Sequence, residues 1–281
     1  MSLTDRERYL FDVRGMLVLR GVLTDEEVKG LNDALDANPA RRSQLADSTL
    51  GSPALAGSPR WEYRNTVEWP EPWCRPFRDL IAHLRLVPYL NALLGRGWHL
   101  DHNPEVFEFE PGTQGHSLHF GHWWIHPGVF YEARGPQIRN GLIAVEFLLT
   151  DQPEGSGGFV CIPGSHKTNF LRPDEISGYE QDTDVVVNPS GRAGDAFVFT
   201  EALTHGAIPW RADHVRRLVI HRYAAKTVQY GPGFHQAVFP EWVKGLTPAQ
   251  RAALEPAHFY DRPEINADGT VETTWDNYDR P

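Results

Sequence analysis

Six short apolar runs dominate the middle of the chain, at 106–110, 117–124, 141–149, 158–162, 195–200 and 216–223. Glycine- and proline-rich connections separate them and break any long helix over this half. Short strands at such spacing fold into a barrel or sandwich, because closure or stacking is what buries their apolar faces. The run at 142–149 is the most apolar of the six, and Glu146 interrupts it. A carboxylate in such a strand is costly to bury alone, so it needs a partner: a metal, an arginine such as Arg222, or a substrate group.

The flanks read differently. Residues 16–23 suit a short strand, and Thr24 and Glu27 have the spacing of a capping box. Val28, Leu31 and Leu35 follow at helical intervals, which predicts a helix to about Ala37. Residues 39–60, polar and rich in Pro, Gly and Ser, are expected to form a mobile loop over the site. Phe77, Leu80, Ile81 and Leu84 mark another amphipathic helix, which Pro88 is expected to end. Thr247-Pro248-Ala249-Gln250 is a further helix start. The expected organisation is one domain over 1–281. It has a mainly β core at about 105–225, a helical buttress over 1–100, and a C-terminal helix and tail over 235–281.

A formal net charge of −10 argues against a nucleic-acid or anionic-membrane surface. No apolar run is long enough to cross a bilayer. The polar N-terminus without an export signal, and only two cysteines, fit a reducing cytoplasm. Cys74 and Cys161 are expected as small core residues. Nothing here speaks to oligomeric state.

The 13 histidines concentrate between His99 and His126. A lone histidine on a strand more often meets a local polar need than binds a metal, so its company decides. Residues two apart on a strand share a face, which puts His119 with Gly121 and turns His116 and His122 the other way. A three-histidine cluster would need a bulge. Oxygen-activating iron sites commonly use two histidines and one carboxylate, leaving three positions for a chelating keto acid and dioxygen. His119 and His205 are the candidate pair. The keto acid's free distal carboxylate calls for a buried guanidinium, and the basic pair Arg216 and Arg217 after His205 offers one. Strand alternation turns only one of the two inward. His116, His122, Trp123 and Trp210 are candidate substrate contacts, Trp210 as a pocket wall.

From about Gly15 to Tyr223 the chain resembles the phytanoyl-CoA dioxygenase family of iron(II)/2-oxoglutarate enzymes. The resemblance rests on the 15–23 strand before a helix and on Pro163-Gly164-Ser165-His166-Lys167. It rests further on Gly194-Asp195, on Thr204-His205-Gly206 and on the strand from Arg216 to Tyr223. It implies a double-stranded β-helix of the jelly-roll, cupin-like kind. It also implies iron(II) on His119 and His205, 2-oxoglutarate on Arg216, dioxygen as co-substrate, and a small-molecule metabolite oxidised at an unactivated C–H bond.

One position departs from that pattern: Gly121 stands where the family carries Asp or Glu. His-x-Gly is similar to the iron-dependent halogenases, in which the missing side chain opens a position for chloride. On this reading halogenation is favoured over hydroxylation. Two alternatives keep hydroxylation, with either Glu146 or water as the third ligand. A catalytically silent binding module that has lost its carboxylate is a reading of another class. A metal hydrolase comes last, because it leaves Arg216 without work.

Overall fold

The computed structural model describes residues 3–120, 128–231, 239–259 and 262–273. Gly121, His122 and Trp123 of the candidate set lie outside these residues. The chain opens with helix α1 (Asp5–Arg14), strand β1 (Met16–Leu19) and helix α2 (Asp25–Asp36). Strands β2 (Arg42–Gln44) and β3 (Trp61–Tyr63), helices α3 (Arg75–Asp79) and α4 (Val87–Leu94), and the two-residue strand β4 (His99–Leu100) follow. Next come β5 (Glu105–Phe109), β6 (His116–His119), the hairpin β7 (Tyr131–Arg134) and β8 (Gln137–Asn140), then β9 (Leu142–Leu148) and β10 (Gly158–Cys161). Helix α5 (Asp174–Ser177), strands β11 (Ala196–Thr200), β12 (His205–Ile208) and β13 (Arg216–Ala224), helix α6 (Pro248–Leu254) and the hairpin β14 (Glu264–Ile265) and β15 (Val271–Glu272) complete the order.

Two antiparallel sheets carry the site. The larger runs β1-β11-β9-β13-β5-β3-β2, with β4 added to β13, and the smaller runs β10-β12-β6. Strand β9 shows why its sequence is apolar on every residue but one. Ile143, Val145, Phe147 and Leu149 pack into the core shared with the helices, together with Phe77, Leu90 and Leu254. Ala144 and Leu148 turn the other way, onto Phe159, Phe197 and Phe199. Both faces are covered, so alternation disappears from the burial pattern.

The capping box at Thr24 and Glu27 starts α2 as the spacing requires. An identical device, Thr4 with Glu7, starts α1, which the apolar pattern hides because Phe11 is the helix's one buried residue. Pro88 does not end a helix; it lies in the first turn of α4, where its missing N–H costs nothing. The stretch expected as a mobile loop holds β2 instead, which pairs with β3 at the margin of the larger sheet. Cys74 and Cys161 are buried free thiols, as expected of small core residues. Among the described residues no helix is long and apolar enough to cross a membrane.

The fold buries two histidines away from the cavity as neutral rings. Burial, then the Lys167 charge, lowers the His166 pKa to about 4; burial, then His83, lowers that of His221 to about 3. An unfolded chain protonates both near 6.5, so their stabilising share is complete above that pH and is lost as pH falls below it. The metal-free protein is therefore expected to lose melting temperature between pH 7.5 and 5.5, at up to about 1.4 kcal/mol per pH unit for each ring. His221→Gln should flatten that slope. An equally steep slope in the variant would refute the assignment.

Candidate metal centre

The smaller sheet sets the two candidate histidines face to face. His119 on β6 is the direct partner of His205 on β12, and their ring centroids lie 4.2 Å apart. Each imidazole donates Nδ1–H to a backbone carbonyl, His119 to Ser117 at 3.0 Å and His205 to Leu203 at 2.8 Å. That hydrogen bond fixes the tautomer and leaves the Nε2 lone pair free, as a metal-ligating histidine requires. Burial, followed by the His205 and His116 charges, holds His119 well below the ordinary imidazole value. Burial holds His205 down to about 3. Both rings are neutral donors at physiological pH.

His116 does not face away from this pair. The pairing of β6 with β12 shifts register between His205↔His119 and Ala207↔His116, so one extra residue on β6 turns His116 back to the same side. Its ring lies 4.5 Å from that of His119, and its Nδ1 donates to the same Ser117 carbonyl at 2.9 Å. Gly206 permits this close approach: a Cβ there would stand 2.6 Å from the His116 carbonyl oxygen and 2.9 Å from that of Ser117. Phe120 leaves the strand conformation at once, with φ 58°.

A cavity of roughly 270 Å³ lies between the sheets. His116, His119 and His205 border one side, Phe107, Phe109 and Phe199 line the wall, and Arg216 and Glu146 line it as well. Arg216 and Arg217 divide as alternation demands. Arg216 is 2% exposed, pairs with Glu146 through Nη2, and lies 4.9 Å over the Phe109 ring. Arg217 faces the other way, onto Glu108 at 2.8 Å and Asp36 at 2.7 Å. It is a paired structural charge, not a bare surface one. Glu146 thus finds its partner in Arg216, and not in Arg222. Burial raises the Glu146 carboxyl above its usual range, although Arg216 pulls it down.

Gly158 makes room for this arginine. At φ +76°, a Cβ on it would meet Arg216 Nε at 2.8 Å and Gln152 Oε1 at 2.5 Å. Trp210 is not in the wall. It packs behind it, against Phe109 and Leu218, and its Nε1 donates to the His214 carbonyl at 2.6 Å.

Arg172 and Glu201 escape sequence reasoning, and Arg222, considered there as a partner for Glu146, is engaged elsewhere. Arg172 donates to the Leu118 carbonyl at 2.7 Å, the Phe120 carbonyl at 2.9 Å and Thr204 Oγ1 at 3.3 Å, clasping the strand ends that carry both histidines. Arg222 donates from Nε to Glu201 Oε1 at 2.7 Å and also pairs with Glu105. Glu201 is a buried carboxylate four residues before His205. Among the described residues, no three His, Cys, Asp or Glu side chains stand where they could together hold a metal ion as placed. The donor set nevertheless suits iron(II): neutral imidazole nitrogens with oriented lone pairs, and buried carboxylate nearby.

A family model described as "Phytanoyl-CoA dioxygenase (PhyH)" matches residues 11–218. The chain is 28% identical over 150 residues to the dioxygenase cdmD of Talaromyces verruculosus, covering 51% of this chain but only 44% of that protein. It is 23% identical over 219 residues to the ectoine dioxygenase of Nocardia farcinica, 70% of each chain. The structure of HygX from Streptomyces hygroscopicus with nickel and 2-oxoglutarate bound superposes with a TM-score of 0.65 at 20% identity, over 81% of this chain and 90% of that one. At that identity the likeness establishes the fold, the double-stranded β-helix.

Arg172→Ala removes the clasp without touching an imidazole. It should weaken cobalt(II) binding about 10- to 100-fold, the usual effect of losing a group that orients ligands, while the far-ultraviolet dichroism stays unchanged. Equal affinity in variant and wild type would show that the two strands need no such tie.

Proposed function

The chain belongs to the phytanoyl-CoA dioxygenase family, and on that premise we propose that it is an iron(II)- and 2-oxoglutarate-dependent oxygenase of a small-molecule metabolite. The observation that carries the reading is the pairing of His119 with His205 across β6 and β12, Nε2 lone pairs free, beside a cavity that also holds the buried Arg216. His119 and His205 would hold the metal. Iron(II) with 2-oxoglutarate and dioxygen would supply the power to oxidise an unactivated C–H bond, with one oxygen atom entering succinate as carbon dioxide is lost and, in hydroxylation, the other entering the substrate.

The protein's own part is positioning. Arg216 would anchor the distal carboxylate of 2-oxoglutarate, and its surroundings of Phe109, Phe159 and Leu218 keep that contact dry and strong. Glu146 already engages this guanidinium, so the cosubstrate has to share it. A second negative charge nearby favours the protonated form of Glu146, which burial already favours. Binding of 2-oxoglutarate is thereby coupled to proton uptake. The cavity volume and aromatic wall suit a compact metabolite, in keeping with a relative that is an ectoine dioxygenase. Whether the C–H bond receives hydroxyl or halide depends on what fills the coordination position that Gly121 leaves to others.

Anaerobic addition of iron(II) and 2-oxoglutarate should give the metal-to-ligand charge-transfer band of the chelate. Affinity for 2-oxoglutarate should rise as pH falls towards the Glu146 range, and Glu146→Gln should tighten it and abolish most of that pH dependence. Arg216→Gln combined with Glu146→Gln, which leaves no buried carboxylate alone, should weaken it at least about 30-fold. No band with wild-type protein would favour a catalytically silent module. A chloride-dependent shift of the band would favour the halide reading.

A further inference from the structure

We infer that Glu201 supplies the metal-binding carboxylate that Gly121 cannot, completing a three-ligand face with His119 and His205. The inference rests on the iron-site reading above and goes beyond it in assigning the third ligand. Glu201 follows β11 directly, and the 201–204 turn returns the chain so that Glu201 and His205 converge. The side chain is 1% exposed. Arg222 Nε donates to one carboxylate oxygen, Oε1, at 2.7 Å. The other, Oε2, has no hydrogen-bond partner among the described residues. It stands 3.7 Å from His205 Nε2.

Two facts make that arrangement informative. His205 spends its Nδ1–H on the Leu203 carbonyl, so its Nε2 presents a lone pair, not a proton. Two buried acceptor atoms facing one another call for a cation or a proton between them, and 3.7 Å is too long for the hydrogen bond that a shared proton would make. Atoms bound about 2.1 Å from one ion stand roughly 3.0 Å apart at a right angle and about 3.4 Å apart at a tetrahedral angle. A carboxylate shift of about 0.5 Å therefore brings Glu201 Oε2 and His205 Nε2 onto one metal. The salt bridge to Arg222 leaves Oε2 as the donor, which specifies a single-oxygen contact.

The rivals are weaker. Glu146 is committed to Arg216 on the larger sheet. His116 lies close to His119, yet a third neutral ring would not restore the negative charge lost with the side chain at position 121. Glu201 restores it. With that position filled by protein, chloride has none to take, and oxidation of the C–H bond ends in hydroxylation.

Cobalt(II) binding to the full chain, read by titration calorimetry and by its visible ligand-field bands, tests this without turnover. Glu201→Gln keeps the size and the hydrogen bond from Arg222, and Glu201→Asp keeps the charge but shortens the reach. Both should bind cobalt(II) at least about 100-fold more weakly than wild type, beyond the loss typical of a supporting residue. Both should also lose the metal-dependent gain in melting temperature, measured for each variant against its own metal-free form. Affinity within threefold of wild type in either folded variant would overturn the assignment. So would loss with His116→Gln but not with Glu201→Gln, which would transfer the ligand role to His116. Failure of wild-type protein to bind cobalt(II) or iron(II) would instead defeat the iron-site reading itself.

Discussion

The register of β6 against β12 is the constraint on which the site depends. It sets His119 directly opposite His205, and a slip of one residue would turn one ring out of the cavity. Three features hold that register. Gly206 lets the backbones approach more closely than any side chain would permit. The extra residue on β6 absorbs the mismatch between the strands and brings His116 round with it. Arg172 then ties Leu118, Phe120 and Thr204 together from outside the pair. None of these contacts is strong alone. Together they fix ligand geometry before any metal binds, so ordering of the two rings is not charged against metal affinity.

The cavity also keeps its charges in balance. Arg60, Arg216 and Arg222 line it, as do Glu105 and Glu146, with Glu201 Oε2 3.7 Å from His205 Nε2. Buried ion pairs of this kind add little net stability, because desolvation cancels most of the attraction. Their use here is electrostatic. A dication and a dianionic keto acid entering together would leave the overall charge unchanged, whereas either alone would upset it.

Much of this was legible in the chain. The strand runs within the described residues, the capping box at Thr24 and the helix start at Thr247 follow from spacing, because period-2 patterning and cap chemistry are local, whereas choosing Arg216 over Arg217 and pairing two distant histidines needed the family resemblance. What escaped depends on partners far away. The α1 helix has the same Thr-x-x-Glu start as α2, but with Phe11 as its one buried residue it lacks an apolar stripe to announce it. The strand β12 reads as a turn because Thr204-His205-Gly206 is polar and short, and its pairing with β10 and β6 is what makes it a strand. Glu146 was correctly marked as needing a partner. Which arginine supplies it depends on how β13 pairs with β9 within the larger sheet, which no spacing encodes. Trp210 was misplaced for a related reason: distance in sequence from His205 says nothing about which side of a wall an indole occupies.

The absence of a carboxylate at position 121 takes on a different meaning once Glu201 is considered. In a His-x-Asp arrangement both ligands come from one strand, so that strand must stay extended through the second of them. Here β6 ends at His119 and Phe120 turns at once to φ 58°, a conformation that a continuing two-residue ligand motif would not adopt. On the proposal above, the 201–205 turn would meet the requirement that β6 gives up. It lies between two core strands, its Glu201 N–H donates to the Leu142 carbonyl at 3.1 Å, and Arg222, two strands away from β11 in the larger sheet, holds its carboxylate. With Glu201 as the acidic ligand, one strand, β13, would orient both the metal's carboxylate, through Arg222, and the proposed cosubstrate anchor, Arg216.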